Sequence, residues 1–134
     1  MLTRAAAPLI ERCKQQSCAF INASVLHFGM IKSEDPLNYN PWKAINAYWR
    51  RWQAETVEFQ RICREAGISI LAPALQYSLL NPDIDMTLNG IHRLSNIEST
   101  IEAMDTVIHP EVWAAIQRQQ SQNPFCDIQD DLQY

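Results

Sequence analysis

The chain has 134 residues, 47% of them hydrophobic, which suits a single domain with its own core and excludes general disorder. Its formal net charge of −4, with Lys and Arg scattered along the sequence, argues against nucleic acid and anionic membranes as partners. No apolar run approaches the roughly 20 residues that a membrane-spanning helix needs.

The first half of the chain predicts two helices, one strand and a long loop. A helix is expected over Thr3–Gln16, followed by a buried strand over Cys18–Val25, where the apolar run with β-branched residues has the length of a strand. The segment Leu26–Asn40 carries glycine, proline and asparagine and is predicted as a loop. Pro41 suits the first position of a helix that runs to Ala66, and Gly67 suits the position after its end.

The second half continues with a helix that Ser69 caps and that ends at Asn81–Pro82. A short strand over Asp85–Asn89 and a turn over Gly90–Arg93 follow. The resulting order, α-β-α-α-β-α-α, alternates strands with helices and therefore favours a parallel sheet. Two strands alone do not form a stable sheet, so this order is typical of one part of a larger α/β fold.

The next helix begins with a start signal of its own. Ser95 and Glu98 have the spacing of a capping box, in which each side chain accepts a hydrogen bond from the backbone amide of the other residue. The expected buried face of this helix consists of Ile97, Ile101 and Met104. A glycine turn that leads into a helix N-terminus is a common way to bind phosphate, so the segment is either a nucleotide-binding corner or a plain αβα unit.

The end of the chain predicts a last helix that opens at Pro110, with Val112, Trp113 and Ile116 facing inward, and a loose polar tail over 121–134.

The four cysteines show no CxxC pair and no zinc spacing with the histidines. Free thiols indicate a reducing compartment, so we expect a cytoplasmic protein without a metal site. His27 is expected to be a solvated loop residue.

Two segments together resemble the aldo-keto reductases. The stretch ALQYSLLNPDIDMTLNGIHRLSNIESTIEAM, over 74–104, is similar to the family's C-terminal order of a helix, a strand ending in glycine and a helix opening with serine. Upstream, INASVLHFGMI, over 21–31, resembles the segment after the seventh strand in the branch that includes L-galactose dehydrogenase and D-threo-aldose 1-dehydrogenase. Motif order and spacing agree together over roughly residues 9 to 117.

The resemblance implies an α/β fold that is part of a (β/α)8 TIM barrel. Residues 1–120 would form its last two βα units and the C-terminal helix, and six strands would be absent, as in a truncated product or a fragment of a longer chain. It also implies binding of NAD or NADP. The cofactor-binding residues carried over from the family are Ser24, Leu26, Gly29, Gly90, His92, Arg93, Asn96 and Thr100.

The resemblance assigns no catalytic residue to this sequence. The family reduces carbonyls by hydride transfer, with a tyrosine as general acid beside lysine, histidine and aspartate, and those residues belong to the first half of the barrel. The implied function is the C-terminal cofactor-binding portion of an NAD(P)-dependent sugar or aldose dehydrogenase-like oxidoreductase, not catalytic alone. Its partners would be the nicotinamide cofactor and the missing N-terminal half or a second copy. The alternative is a non-catalytic interaction or oligomerising protein that reuses a barrel fragment.

Overall fold

The structure, a computed structural model, describes residues 6–41 and 47–121. The predicted order of helices and strands is confirmed, with a 3₁₀ helix in addition: α1 (Ala7–Gln15), β1 (Ile21–Ala23), the 3₁₀ helix (His27–Lys32), α2 (Ala47–Glu65), α3 (Leu71–Leu79), β2 (Met86–Leu88), α4 (Leu94–Asp105) and α5 (Pro110–Ser121). The start of the predicted Thr3–Gln16 helix, residues 42–46 and nearly all of the predicted tail lie outside the described residues. No helix within the described ranges is long and apolar enough to cross a membrane.

The sheet in the described residues consists of β1 and β2, which are parallel as predicted and pair in register with Ile21 opposite Met86. The strand predicted over Cys18–Val25 is present, but its predicted length and its predicted burial are wrong. The strand has three residues, and Ile21 is 56% exposed. Its middle residue, Asn22, is half-buried, so the sheet turns a polar side chain inward and apolar side chains outward.

Contacts with α3 explain this inverted arrangement. The Asn22 side-chain amide donates to the Ser78 hydroxyl at 2.7 Å, and the Thr87 hydroxyl lies 2.7 Å from the same oxygen. Ser78 is 2% exposed. Because a buried hydroxyl requires hydrogen-bond partners, the strands present polar side chains to α3. The opposite face of the sheet is left uncovered by the described residues.

Two apolar clusters form the core. One joins the 3₁₀ helix, α2 and α5 through Ile31, Phe59 and Ile116. The other joins α3 to α4 through Leu75 and Ala103. Both clusters are contacted by residues of α5, which begins at Pro110 as predicted, and the expected inward positions in α5 are confirmed: Val112, Trp113 and Ile116.

The segment after β1 returns to the core, although Leu26–Asn40 is predicted as a loop throughout. Residues His27–Lys32 form the 3₁₀ helix, which is interrupted by a kink at Phe28 and Gly29, and its Met30 and Ile31 are fully buried. The loop prediction rested on glycine, proline and asparagine, whereas the apolar side chains of LHFGMI have enough surface to favour burial. The loop prediction therefore misses the burial of Met30 and Ile31, whereas the non-helical backbone at Phe28 and Gly29 agrees with it.

The connection between α2 and α3 follows one of the two predicted signals, the glycine. Gly67 has φ +68°, and the Ile68 amide donates to the Cys63 carbonyl at 3.0 Å, which is the pairing of a Schellman motif. The Ser69 hydroxyl then accepts a hydrogen bond from the Leu71 amide at 3.3 Å, just ahead of α3. Gly67 therefore ends α2 as predicted, whereas the prediction that Ser69 caps α3 is wrong, because the N-cap is Ile70 and no side chain caps this helix.

The capping box predicted for α4 is wrong. The helix begins at Leu94, its N-cap is Arg93 in an extended conformation (φ −135°, ψ 145°), and no side chain caps the first turn. Ser95 lies inside the helix, where its hydroxyl does not have the extended N-cap geometry that aims a side chain at the amides two or three residues ahead. The exposed Glu98 therefore has no capping partner in Ser95.

The predicted buried face of α4 is wrong as well. Ile97, Ile101 and Met104 are 43%, 51% and 44% exposed, whereas Ala103 is 1% exposed. A small side chain at the contact lets α4 approach α3 closely, and the Gln76 side-chain amide of α3 donates to the Ala103 carbonyl at 2.9 Å. The larger apolar side chains therefore face away from α3.

Candidate functional site

A cleft of about 720 Å³ opens between the loops that follow β1 and β2. Because the two strands are parallel neighbours, their carboxyl ends lie at the same edge of the sheet, where parallel α/β folds bind ligands. Six of the eight residues carried over from the family line this cleft: Ser24, Leu26, Gly29, Gly90, His92 and Asn96. Residues more than sixty positions apart in sequence thus meet at one site.

The other two carried-over residues do not line the cleft. Arg93 is the exposed N-cap of α4. The Thr100 hydroxyl donates to the Asn96 carbonyl at 2.7 Å and lies 3.4 Å from the Asn89 side-chain amide. Since Asn89 and Asn96 both line the cleft, Thr100 holds lining residues in place from behind.

The loop after β1 is held in an unusual backbone conformation. Ser24, His27 and Phe28 have positive φ of 62°, 48° and 56°, although none is glycine. Each such residue costs roughly 1–3 kcal/mol and persists only where its surroundings hold it. One such restraint is Tyr39, whose hydroxyl donates to the Phe28 carbonyl at 2.6 Å.

Gly29 is required in this loop for two reasons. Its φ of +94° lies in the region that glycine adopts without strain. A Cβ at this position would also lie 2.8 Å from the Tyr39 hydroxyl oxygen, which is closer than real Cβ contacts. The loop therefore depends on both Gly29 and Tyr39, and both line the cleft.

Gly90 has a different character. Its φ is not positive, and a Cβ there would meet no atom within 4 Å. The turn predicted over Gly90–Arg93 is wrong, because residues 90–92 form no hydrogen-bonded turn, and the backbone at Gly90 does not require glycine. The missing side chain leaves this side of the cleft open.

Lys32 is a cleft residue that the sequence analysis missed. Its ammonium group lies 3.4 Å from the Asn96 side-chain oxygen, and the exposed side chain lines the cleft. No motif singles it out in the sequence, since it follows the matched segment by one residue. A lysine beside a helix N-terminus whose first turn has no side-chain cap provides a positive environment suited to an anion.

His27 lies on a second cavity of about 420 Å³, between α1, β1 and α3. The expectation of a solvated His27 is wrong: its ring centroid is 4.3 Å from that of Trp52, and burial lowers its pKa to about 4. Its Nε2 atom is buried without a hydrogen-bond partner among the described residues. The polar groups Asn22 and Ser78 in this cavity bond to each other. The 720 Å³ cleft is the stronger candidate, because it contains Lys32 and lies at the carboxyl ends of both strands.

In the described residues no three His, Cys, Asp or Glu side chains gather as a metal site would require. Cys13, Cys18 and Cys63 are free thiols, and burial raises the pKa of Cys63 to about 11. The thiol of Cys63 is therefore protonated at neutral pH and a poor nucleophile. Cys126 lies outside the described residues.

The sequence matches the model of the Aldo/keto reductase family over residues 1–120. The match includes both loops of the cleft and every described element except the last residue of α5. No curated protein matches the chain. The helix-rich α/β structure with its two-stranded parallel sheet is compatible with part of a βα fold of this family, whose members are oxidoreductases that generally use NAD(P)H. The chain belongs to the aldo/keto reductase family.

Proposed function

We propose that this chain is the C-terminal, cofactor-binding part of an NAD(P)-dependent aldo/keto reductase. The 720 Å³ cleft takes the adenosine diphosphate portion of the cofactor. The observation that carries the proposal is the convergence of the two loops, because Ser24 and Gly29 share one cleft with Gly90 and Asn96 at the carboxyl edge of the sheet. The bound nicotinamide would supply hydride transfer.

Each part of the cleft has a task in this proposal. Lys32 binds the phosphates by its charge, and the N-terminus of α4, where Asn96 lines the cleft, adds the positive end of the helix dipole. Gly29 keeps the first loop in its left-handed conformation, and Gly90 leaves room for the ligand. Arg93 does not line the cleft, so the described geometry favours neither NADP nor NAD.

The catalytic residues of the complete reductase are proposed to lie outside this sequence. The one tyrosine that lines the cleft, among the described residues, is Tyr39, and its hydroxyl already donates to the Phe28 carbonyl. That bond supports the strained loop and leaves Tyr39 badly placed as a general acid. We therefore expect no steady NAD(P)H-dependent turnover by this chain alone.

The uncovered sheet face favours association with further strands. Ile21, Met86 and Leu88 are 56%, 55% and 57% exposed on this face, and two parallel strands alone are unstable. We propose that the missing N-terminal half of the barrel, as a longer chain or a separate one, covers this face. Self-association is the second candidate, and size-exclusion chromatography with light scattering distinguishes a monomer from an oligomer.

The substrate class follows from the resemblance of residues 21–31 to the aldose dehydrogenase branch. We propose a sugar or a small carbonyl compound as the substrate of the complete reductase. The free thiols of Cys13, Cys18 and Cys63 support a reducing, cytoplasmic location.

The test is a fluorescence titration of the chain with NADPH and with NADH. We expect saturable binding that Gly90→Leu weakens at least about tenfold, because the leucine fills open space in the cleft without straining the backbone. Gln15→Leu places the same side chain on the exposed surface of α1 and leaves affinity unchanged. Circular dichroism checks that both variants fold. Equal affinity of Gly90→Leu and wild type, or no binding by a folded wild type, would sink the proposal.

A further inference from the structure

Two cysteines meet where α1 ends. Cys13 lies in the last turn of α1, and the Cys18 amide donates a hydrogen bond to the Cys13 carbonyl at 2.9 Å. We propose that these two thiols are a redox-sensitive pair, which forms a reversible intramolecular disulfide by exchange with a low-molecular-weight disulfide such as oxidised glutathione. The contacts that carry this inference lie within residues 13–18, so it depends neither on cofactor binding nor on the rest of a barrel.

The chain leaves α1 through a Schellman motif. Ser17 has a positive φ of 53°, and its amide donates to the Lys14 carbonyl at 3.2 Å. Together with the bond from Cys18 to Cys13, these are the two hydrogen bonds that define the motif. The residues at the positions of Cys13 and Cys18 are the pair whose side chains normally make an apolar contact across this turn. In this chain both positions hold a thiol.

The separation of the two backbones suits a disulfide. The hydrogen bond of 2.9 Å between the Cys13 oxygen and the Cys18 nitrogen, with the covalent bonds on either side, limits the two Cα atoms to at most about 6.8 Å apart. Disulfides in proteins join Cα atoms roughly 4.4–6.8 Å apart. The backbone is therefore already within this range, and the side-chain contact typical of the motif gives the two thiols the required direction.

Exposure makes Cys18 the thiol that reacts first. Cys18 is exposed and Cys13 is half-buried. The Cys18 thiol donates to the Gln16 carbonyl at 3.7 Å, a weak hydrogen bond that exchange can break. Cys63, in contrast, is 1% exposed, and burial raises its pKa to about 11, so it does not compete for the oxidant. Of the thiols in the described residues, the pair Cys13 and Cys18 combines access with proximity.

The oxidation proceeds as two thiol–disulfide exchanges. The Cys18 thiolate attacks one sulfur of oxidised glutathione, forms a mixed disulfide and releases the first glutathione as a thiolate. The Cys13 thiolate then attacks the Cys18 sulfur and releases the second glutathione. The two protein thiols lose two electrons and two protons, and oxidised glutathione gains them as two thiols. Excess reduced glutathione reverses both exchanges, which is the behaviour of redox-sensing disulfides in reducing compartments.

The test equilibrates the full chain with mixtures of reduced and oxidised glutathione, blocks the remaining thiols and maps the disulfides by mass spectrometry. Trypsin cleaves after Arg12 and Lys14, so the expected disulfide joins the fragment 13–14 to the fragment 15–32. The equilibrium constant for forming it is expected to be at least about tenfold larger in the folded chain than in the chain unfolded by urea, because the fold holds the two thiols adjacent.

Ser17→Pro is expected to lower this constant to that of the unfolded chain, because proline does not adopt a positive φ and has no amide to donate to Lys14. The matched control is Ser17→Gly, which adopts the same φ without strain and is expected to match the wild type. Circular dichroism checks that both variants fold. If Ser17→Pro does not fold, the comparison of folded and unfolded wild type decides alone.

Three results would overturn the inference. The first is an equal equilibrium constant in the folded and the unfolded wild type. The second is a folded protein that carries glutathione on Cys18 without the bond to Cys13. The third is a disulfide that joins either cysteine to Cys126 or to a second chain.

Discussion

The Lys32 ammonium group lies 3.4 Å from the Asn96 side-chain oxygen, so one contact joins the loop after β1 to the first turn of α4, 64 residues further along the chain. This contact spans the candidate cleft and brings its positive charge to the start of a helix without a side-chain cap. If the cleft binds the phosphates of a nicotinamide cofactor, Lys32 contributes to affinity directly.

Lys32→Met is therefore expected to weaken binding of NADPH at least about tenfold, because it removes a charge-assisted hydrogen bond worth roughly 1.5–3 kcal/mol when its partner is charged. The variant is expected to fold normally, since the side chain is exposed. Fluorescence titration at low and high salt measures the effect, which salt reduces.

Lys14→Met is the control for that experiment. Lys14 is exposed and pairs with Asp83 at 2.7 Å, and neither residue lines the cleft. Its replacement is expected to leave the affinity for NADPH unchanged. Equal losses in both variants would show that Lys32 acts only through the net charge of the protein.

Ser78→Ala is expected to lower the free energy of unfolding by roughly 1–3 kcal/mol, because it leaves Asn22 and Thr87 without their shared buried partner. Urea denaturation followed by circular dichroism measures the change. Ser95→Ala is the matched control and is expected to change stability by less than about 0.5 kcal/mol, because Ser95 is exposed and does not cap α4. A loss of about 1 kcal/mol in Ser95→Ala would instead indicate that the Ser95 hydroxyl caps α4.

The stability of the protein is expected to fall as the pH drops from about 6.5 to about 4. Burial lowers the pKa of His27 from 6.5 to about 4 in the folded chain, so over this range the unfolded chain binds a proton that the folded chain does not. The resulting loss in the free energy of unfolding amounts to roughly 3 kcal/mol at most. It is complete once the pH lies below the pKa of His27 in the folded chain.

His27→Phe should remove this part of the pH dependence, because phenylalanine keeps an aromatic ring against Trp52 and carries no titratable group. Urea denaturation of both proteins at several pH values between about 7 and about 4.5 provides the comparison. Identical slopes of stability against pH in the two proteins would mean that His27 is not buried as described.

The sequence predicted those features that depend on local signals. Gly67 ends α2 with the expected positive φ, Pro110 opens α5, and β1 and β2 are parallel. The alternation of strands and helices was sufficient for the element order, because it requires only hydrophobic periodicity and the residues that interrupt it.

The sequence did not predict features that depend on which residues of distant elements pack together. Periodicity marked Ile97 and Ile101 as one face of α4, but it does not distinguish a face that packs within the chain from one that another element covers. His27 looks like a loop residue locally, and only the approach of Trp52, 25 positions later, buries it. Ser95 has the right type for a cap and the wrong register, because the helix begins at Leu94.

The family resemblance predicted that both loops belong to one site. Six of the residues that it implied line the same cleft in the structure. Lys32 lies one position past the matched segment and was therefore overlooked. Its role depends on the approach of Asn96 in space, which no local pattern encodes.

The most direct test of cofactor binding in the cleft uses the glycine amides of the chain, which contains three glycines in all. Gly29 and Gly90 line the cleft, whereas Gly67 lies at the end of α2 and serves as an internal control. In a ¹⁵N–¹H NMR titration with ADP-ribose, the signals of Gly29 and Gly90 are expected to shift together and saturate, while that of Gly67 stays in place. No saturable shift of Gly29 and Gly90, or an equal shift of all three, would contradict the assignment of the cleft as the cofactor site.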